Sequence, residues 1–261
     1  MHVRNDGGMT RTFDELVAEA DAVSVVGWDF SWLDGRATEE RPSWGYQRLL
    51  RGRLAEVTSA LDLQTGGGEV LPGAGPFPPT MAATEPWPPN LALATQRLHP
   101  LAVVVVACTE RPLPFADAAF DLVSSRHPAD LWWDEIARVL KPGGTYFAQH
   151  VGAASVRELV EYFLGPRPEV MAHGQLSPDV VGAQISEAGL DLVDLRHERL
   201  RIEFFDVGGV IYFLRKVIWA IPGFTVADHR ERLFSLHQQI EAGGPFVTHS
   251  SRVLIEARKP A

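Results

Sequence analysis

The chain has 261 residues, 46% of them hydrophobic and 22% charged, with a mean hydropathy of -0.03; this is a globular composition, long enough to bury an ample core, and it excludes disordered, collagen-like and disulfide-stapled chains. A net charge of -9, a pI of about 5.5 and lysines only at Lys141, Lys216 and Lys259 argue against a phosphate-neutralising surface, so a small molecule is the expected partner rather than nucleic acid. The lone cysteine, Cys108, excludes an intramolecular disulfide, and the N-terminal stretch has no apolar signal segment, so the expected compartment is the cytoplasm.

In chain order, the first predicted element is a helix opened by a capping box. Thr12 stands three residues before Glu15, and Phe13, Leu16, Val17 and Ala20 follow at helical spacing. Residues 27–46, GWDFSWLDGRATEERPSWGY, are rich in aromatic and turn residues, so residues 1–45 are expected to form a helical and aromatic lid. Ser43 is placed to cap a helix through Glu56, with Leu49, Leu50, Leu54 and Val57 on its inner face. From Ala60, short apolar runs alternate with helical stretches. The predicted strands are Ala60–Leu63, Met81–Thr84, Val103–Ala107, Phe120–Ser124 and Thr145–His150, and the predicted helices Asn90–Leu98, Leu131–Leu140 and Pro178–Ala188. Such alternation needs crossover connections and hence a parallel sheet in an α/β fold. Pro72, Pro76, Pro78 and Pro79 leave room for only a short helix within 67–80.

Toward the C-terminus, Leu190–Phe205 and Phe246–Arg258 read as two long strands in an antiparallel pair. Helical segments at 207–220 and 227–242 lie between them as a cap inserted over about 206–245. The apolar run Val207–Phe224 is interrupted by Arg215, Lys216 and Pro222, which excludes a membrane-spanning helix. The core domain is therefore expected over residues 46–261.

The segment that carries chemistry is ALDLQTGGGE, residues 60–69. A buried strand ends in an acid, Asp62, and a Gly-rich turn follows at once, where glycines expose backbone amides to a ligand. A plain Gly-rich turn is the alternative reading of this piece alone. A dinucleotide fingerprint needs a third glycine where Leu71 stands, and no Gly-Lys-Ser/Thr ending exists for a nucleoside triphosphate. Glu85 closes the next predicted strand, 17 residues past Gly68, where an acid can accept hydrogen bonds from both hydroxyls of a ribose. A helix N-terminal acid is the structural alternative there.

Taken in order, Asp62-x-x-x-Gly66-x-Gly68, Glu85, Leu113-Pro114-Phe115, Phe120-Asp121-Leu122-Val123 and Arg138-Val139-Leu140-Lys141-Pro142-Gly143-Gly144 resemble class I S-adenosylmethionine-dependent methyltransferases of the small-molecule, type-11-like kind. The resemblance covers about residues 45–190. It implies a Rossmann-like, doubly wound, seven-stranded sheet, mostly parallel with an antiparallel C-terminal strand. It also implies S-adenosyl-L-methionine as cofactor, with the Gly66–Gly68 loop behind its methionine part. Asp62 would orient that loop or reach the amino group. Glu85 would hold the ribose, with Pro86 or Trp87 beside the adenine and Thr109 and Glu110 at the adenine edge. Ser125, Arg126 and His127 would lie beside the methyl donor. The chain departs from the family pattern at Gln64, where glycine is usual in the cofactor loop, and at Thr109, where aspartate is usual.

An acceptor that must lose a proton needs a base. His127 is the first candidate and His150 the second, since an unperturbed imidazole titrates near pH ~6.5; a hydrogen-bonded structural histidine is the alternative for both. The region before the helix at 46 carries Trp28, Phe30, Trp32, Trp44 and Tyr46, and the cap carries Phe204, Phe205, Tyr212, Phe213 and Trp219, with Trp132 and Trp133 a third group. These aromatics suit an aromatic or hydrophobic acceptor, or core and lid packing. His229, Arg230, Arg232, His237, His249 and Arg252 could recognise an anion or form a solvated face. Histidine and cysteine spacing predicts no metal site. The expected assembly is a monomer or homodimer. Two other readings stand beside methyl transfer to a small molecule: a cofactor-binding protein that has lost catalysis, motivated by Gln64 and Thr109, and an RNA methyltransferase, which the net charge disfavours.

Overall fold

The computed structural model describes residues 11–152, 154–166 and 178–261, so part of the predicted lid, residues 1–10, lies outside the described residues. Among the described residues the sheet has eight strands: β1 Ala37–Glu39, β2 Ser59–Leu63, β3 Thr80–Glu85, β4 Val104–Ala107, β5 Phe120–Arg126, β6 Leu140–Val151, β7 Asp191–Phe204 and β8 Phe246–Arg258, in the order β1-β7-β8-β6-β5-β2-β3-β4. Strands β2 to β6 pair parallel, while β8 pairs antiparallel with both β6 and β7, and β1 antiparallel with β7. The mostly parallel Rossmann-like class holds. The expected count of seven is corrected to eight, because three residues of the presumed N-terminal loop pair along β7.

The helices are α1 Phe13–Ala22, α2 Tyr46–Leu54, α3 Pro88–Leu98, α4 Trp133–Val139, α5 Arg157–Leu164, α6 Pro178–Glu187, α7 Val207–Lys216 and α8 Arg230–Gly243. At α1 both halves of the capping box form: Thr12 Oγ1 accepts from the Glu15 amide at 3.3 Å, and the Glu15 carboxylate accepts from the Thr12 amide at 2.8 Å. Ser43 does not cap α2. That helix starts at Tyr46 after Gly45 at φ +63°, and Ser43 instead donates through its amide and hydroxyl to Glu198 of β7. The prolines of 67–80 permit only a 3-10 turn at Leu71–Ala74. The Lys-Pro-Gly-Gly segment lies in the bulged start of β6. Helix α4 ends at Val139, and the pairing with β5 jumps from Phe120↔Leu140 to Leu122↔Thr145 while Gly143 sits at φ +76°.

Strand β2 is buried along its whole length, as a central parallel strand must be when helices cover both faces. One face carries Leu61, Val123, Tyr146, Ala148 and Val253 under α4 and α6; the other carries Ala60, Leu122, Phe147 and Leu254 under α2 and α3. Each fully buried valine, leucine or phenylalanine among them contributes about 1.5–3 kcal/mol. A third cluster joins α1, α5, α7 and α8, with Leu16, Leu159, Ile211 and Leu236 at its centre.

Candidate functional site

Chain order leaves β2 toward β3 and β4 on one side and resumes at β5 and β6 on the other, so the order reverses between β2 and β5. In open α/β sheets the carboxyl ends of the strands at such a switch point frame a ligand crevice. Six predicted site residues come together there. Asp62 is the penultimate residue of β2, Glu85 ends β3, Arg126 ends β5, His127 follows it, and Gly66 and Gly68 lie in the loop after β2.

Asp62 is buried and its Oδ1 accepts from Ser124 Oγ at 2.6 Å. Burial raises its pKa to about 6, against the opposing hydrogen bonds of Ser124 and Thr65 and the charge of Arg126. Glu85 is also buried and spans the loop. Its Oε2 accepts from the Gly66 amide at 2.8 Å and its Oε1 from the Trp87 amide at 3.0 Å. Burial raises the Glu85 pKa too, while those amides and Asn90 lower it. Asn90 is buried in the first turn of α3, and its Oδ1 has no partner. An orphan acceptor beside a buried carboxylate is a pair of groups that a vicinal diol can satisfy.

Gly66 sits at φ +67°, and a Cβ there would stand 3.0 Å from Trp28 of the aromatic loop, so the residue must be glycine for that indole to lie across the turn. The aromatic loop is fixed from behind by α7, whose Tyr212 hydroxyl donates to the Asp29 carbonyl at 2.9 Å.

Gln64 has the left-handed backbone, φ +53°, that would otherwise suit glycine. Its amide donates to Thr84 Oγ1 at 3.1 Å; its side chain accepts from the Ala129 amide at 2.7 Å and donates to the Asp130 carbonyl at 2.7 Å. It thus ties the loop after β5 to the end of β2. Next to this tie Gln64, Thr84, Pro86, Thr109, Asp130 and Trp132 enclose about 20 Å3, room for about one water molecule. Thr109 and Pro86 both line this space. Glu110 is exposed, and its carbonyl accepts from Cys108 Sγ at 3.4 Å.

Ser125 is fully buried on the other face of the sheet, where its hydroxyl pairs with Tyr146 Oη at 2.9 Å. Tyr146 Oη pairs in turn with His150 Nε2 at 2.9 Å, and His150 Nδ1 has no partner. Burial lowers the His150 pKa to about 3, so it is neutral. His127 lies at φ +57° with its amide donating to the Gln149 carbonyl at 2.7 Å. Burial, and then the charges of Arg126 and Arg252, hold its pKa well below the ordinary value. Gln149 Oε1 accepts from Trp44 Nε1 at 2.8 Å, which leaves the Gln149 amide group to donate to His127 Nε2 at 3.0 Å. His127 is neutral, with that nitrogen engaged. Trp44, Asn90, Gln149 and Arg252 were not placed at the site by sequence reasoning; Trp44 and Arg252 carried a composition signal, Asn90 and Gln149 none.

Residues 61–148 match the family model described as a methyltransferase domain. No curated protein sequence matches the chain. Among solved structures, a candidate methyltransferase from Bacillus halodurans C-125 is 19% identical with a TM-score of 0.60, over 82% of this chain and 99% of that one. Phosphoethanolamine N-methyltransferase 2 of Haemonchus contortus, solved with phosphomonomethylethanolamine and S-adenosylhomocysteine, is 16% identical with a TM-score of 0.52, over 97% of this chain and 61% of that one. The cyclase SpnF is 18% identical with a TM-score of 0.52, over 82% of this chain and 80% of that one. These likenesses are of fold, and a fold shared with a cyclase does not by itself fix the chemistry.

Proposed function

We propose, from the match of residues 61–148 to a methyltransferase domain model, that the protein transfers a methyl group from S-adenosylmethionine to a small-molecule acceptor. The observation that carries the reading is the pair of buried acids, Asp62 and Glu85, flanking the Gly66 turn at the switch point, with the orphan Asn90 Oδ1 beside Glu85. This set of acceptors fits the cofactor. Glu85 and Asn90 offer acceptors to the ribose hydroxyls, and Asp62, once ionised, a counter-charge to the ammonium. Pro86 and Thr109 line the adenine end, with Glu110 at its exposed edge.

The cofactor supplies a methyl group already activated on a sulfonium. The protein's task is to align the acceptor with it and to exclude water. Trp28, lying over Gly66, would close the site from above. Ser125 supports the site from beneath by accepting, through its carbonyl, the Tyr46 hydroxyl at 3.1 Å. His127, the sequence candidate for the base, is neutral, but the burial and arginine charges that keep it so also make it a weak base, and its Nε2 accepts from the Gln149 amide, so the proposed transfer rests on alignment rather than on proton removal by this ring.

One second reading is a cofactor-binding protein without turnover, motivated by Gln64 and Thr109 where the family pattern has glycine and aspartate, with the Gln64 side chain tied across the site to the 129–130 loop. Titration calorimetry with S-adenosylmethionine, S-adenosylhomocysteine and NADH tests the first step. Micromolar binding of the two sulfur compounds alone supports the cofactor, and no binding overturns it. Turnover with a panel of small acceptors then separates enzyme from binding protein, and RNA in the same panel tests the third class.

A further inference from the structure

The sheet register places Arg126 in a row with Gln149 and Leu254, on the same sheet face as, and two residues along from, both the Ser124–Phe147 row and the row of Val151, Arg252 and Glu198. Charged groups around it are spoken for. Glu39 accepts from Arg252 at 2.7 Å and from Ser250 Oγ at 2.6 Å, Glu198 is held by Ser43, Glu69 pairs with Arg97 at 2.8 Å, and Asp62 is bonded to Ser124. Arg126 alone in this group makes no hydrogen bond or ion pair, although Tyr46, Glu39, Glu69 and Arg252 all lie within electrostatic range. The residue is exposed, yet enough protein surrounds its guanidinium, and Arg252 stands near enough, to pull its pKa down. Arg126 ends β5 at the carboxyl edge of the sheet, beside the switch point between β2 and β5. An uncommitted guanidinium held there beside a second arginine carries desolvation cost and like-charge repulsion with nothing in the fold to offset them.

We propose that Arg126 is the carboxylate-binding residue of this site, its planar fork taking either the amino-acid end of the cofactor or an acid group on the acceptor. A carboxylate matches the guanidinium in two parallel hydrogen bonds, and it would neutralise the charge that Glu39 leaves uncompensated after pairing with Arg252. The cofactor source rests on the function proposed above; the acceptor source does not.

The test compares wild type with Arg126→Gln by calorimetry against three probes. These are S-adenosylhomocysteine, 5′-methylthioadenosine, which keeps the adenosyl thioether and lacks the amino-acid end, and benzoate. Because Arg126 bonds to nothing in the fold, the variant should melt within about 2 °C of wild type; Arg126→Lys, which keeps the charge and loses the fork, is the second variant. Loss of about tenfold or more for S-adenosylhomocysteine with methylthioadenosine unchanged assigns Arg126 to the cofactor's carboxylate. The same loss confined to benzoate assigns it to the acceptor. Equal binding of S-adenosylhomocysteine and of benzoate by wild type and Arg126→Gln, or no binding of benzoate by wild type with S-adenosylhomocysteine unaffected, overturns the proposal. If neither adenosyl compound binds wild type, the cofactor reading fails on its own and the benzoate arm decides the role of Arg126.

Discussion

The two ends of the parallel sheet use the same residue types to opposite effect. At the amino end, Asp121 of β5 accepts from the Thr58 and Ser59 amides at 3.1 and 2.9 Å and from both hydroxyls at 2.8 and 2.9 Å, and pairs with Lys141 Nζ at 2.8 Å. These bonds overcome partial burial and hold its carboxyl well below the ordinary range. At the carboxyl end, Asp62 has its pKa raised to about 6, Arg126 is uncommitted, and Asn90 Oδ1 and His150 Nδ1 are buried without partners. One end spends its polar groups on the fold. The other keeps them unsatisfied, which is what a ligand site costs. Several motif residues that resemble the methyltransferase pattern belong to the first kind. Besides Asp121 and Lys141, Arg138 bonds Glu135 at 2.7 Å, Asp117 at 2.7 Å and the Leu113 carbonyl at 3.0 Å, locking α4 to the loop before β5.

The contrast is sharpest in the amino-end acid. Asp121→Ala should lower folding stability by about 3 kcal/mol, since it leaves Ser59 and Lys141 without their charged partner. Urea unfolding measures this, and the folded fraction should bind S-adenosylhomocysteine as wild type does; a stability change within error would break the comparison at this end. Glu85→Ala should weaken S-adenosylhomocysteine binding by more than about tenfold, through loss of a carboxylate that accepts charge-assisted hydrogen bonds. Unchanged affinity in calorimetry would remove the ribose assignment.

The two acids should also titrate in opposite senses. Asp121 has a lowered folded pKa, so its contribution is present above the unfolded value of ~3.9 and is lost as pH falls below about 4. Asp62 has a raised folded pKa, so the fold binds its proton more tightly than the unfolded chain does, and its effect on stability becomes less favourable as pH rises from about 4 to 6. Ligand binding through ionised Asp62 should weaken by up to tenfold per unit below about pH 6, and Asp62→Asn should flatten that dependence. A wild-type profile that is flat between pH 5 and 7 would show that Asp62 does not meet the ligand's charge. The smallest effect is expected at Gln64. Gln64→Gly relieves a left-handed backbone but removes the tie to the 129–130 loop, so stability should stay within about 1 kcal/mol of wild type. S-adenosylhomocysteine should associate several-fold faster in stopped-flow fluorescence, and an unchanged rate would mean that the tie does not limit entry.

Much of the sheet was legible because its signal is local. Alternating apolar runs gave β2 to β6 to within a few residues at most ends, and Phe246–Arg258 is β8 at both boundaries. The misses have physical causes. Strand β1 is three residues long and exists only by pairing with β7. Helix α5 has no side-chain cap and starts from Val156 at φ +54°, so nothing in the sequence announces it. β6 begins at Leu140, five residues before the predicted Thr145, because a bulge lets the strand run through Lys-Pro-Gly-Gly. At the site, Asp62, Gln64, Gly66 and Glu85 were visible because strand ends and glycine spacing are local features. Gln149 and Trp44 were not, because the bond that brings them together joins residues 105 apart. The engagement of His127 by Gln149 follows from that same contact, as does the commitment of Arg252 from pairing with Glu39 on the unforeseen β1.

The central claim is that the carboxyl end of the sheet is built for a ligand and the amino end for the fold. Hydrogen–deuterium exchange with and without S-adenosylhomocysteine tests it most directly. The account predicts slower exchange in residues 62–69, 84–90 and 125–132 on addition of the compound, with 58–59, 121 and 140–144 unchanged. Protection centred on the amino end, or none at the carboxyl end at a saturating concentration, would contradict it.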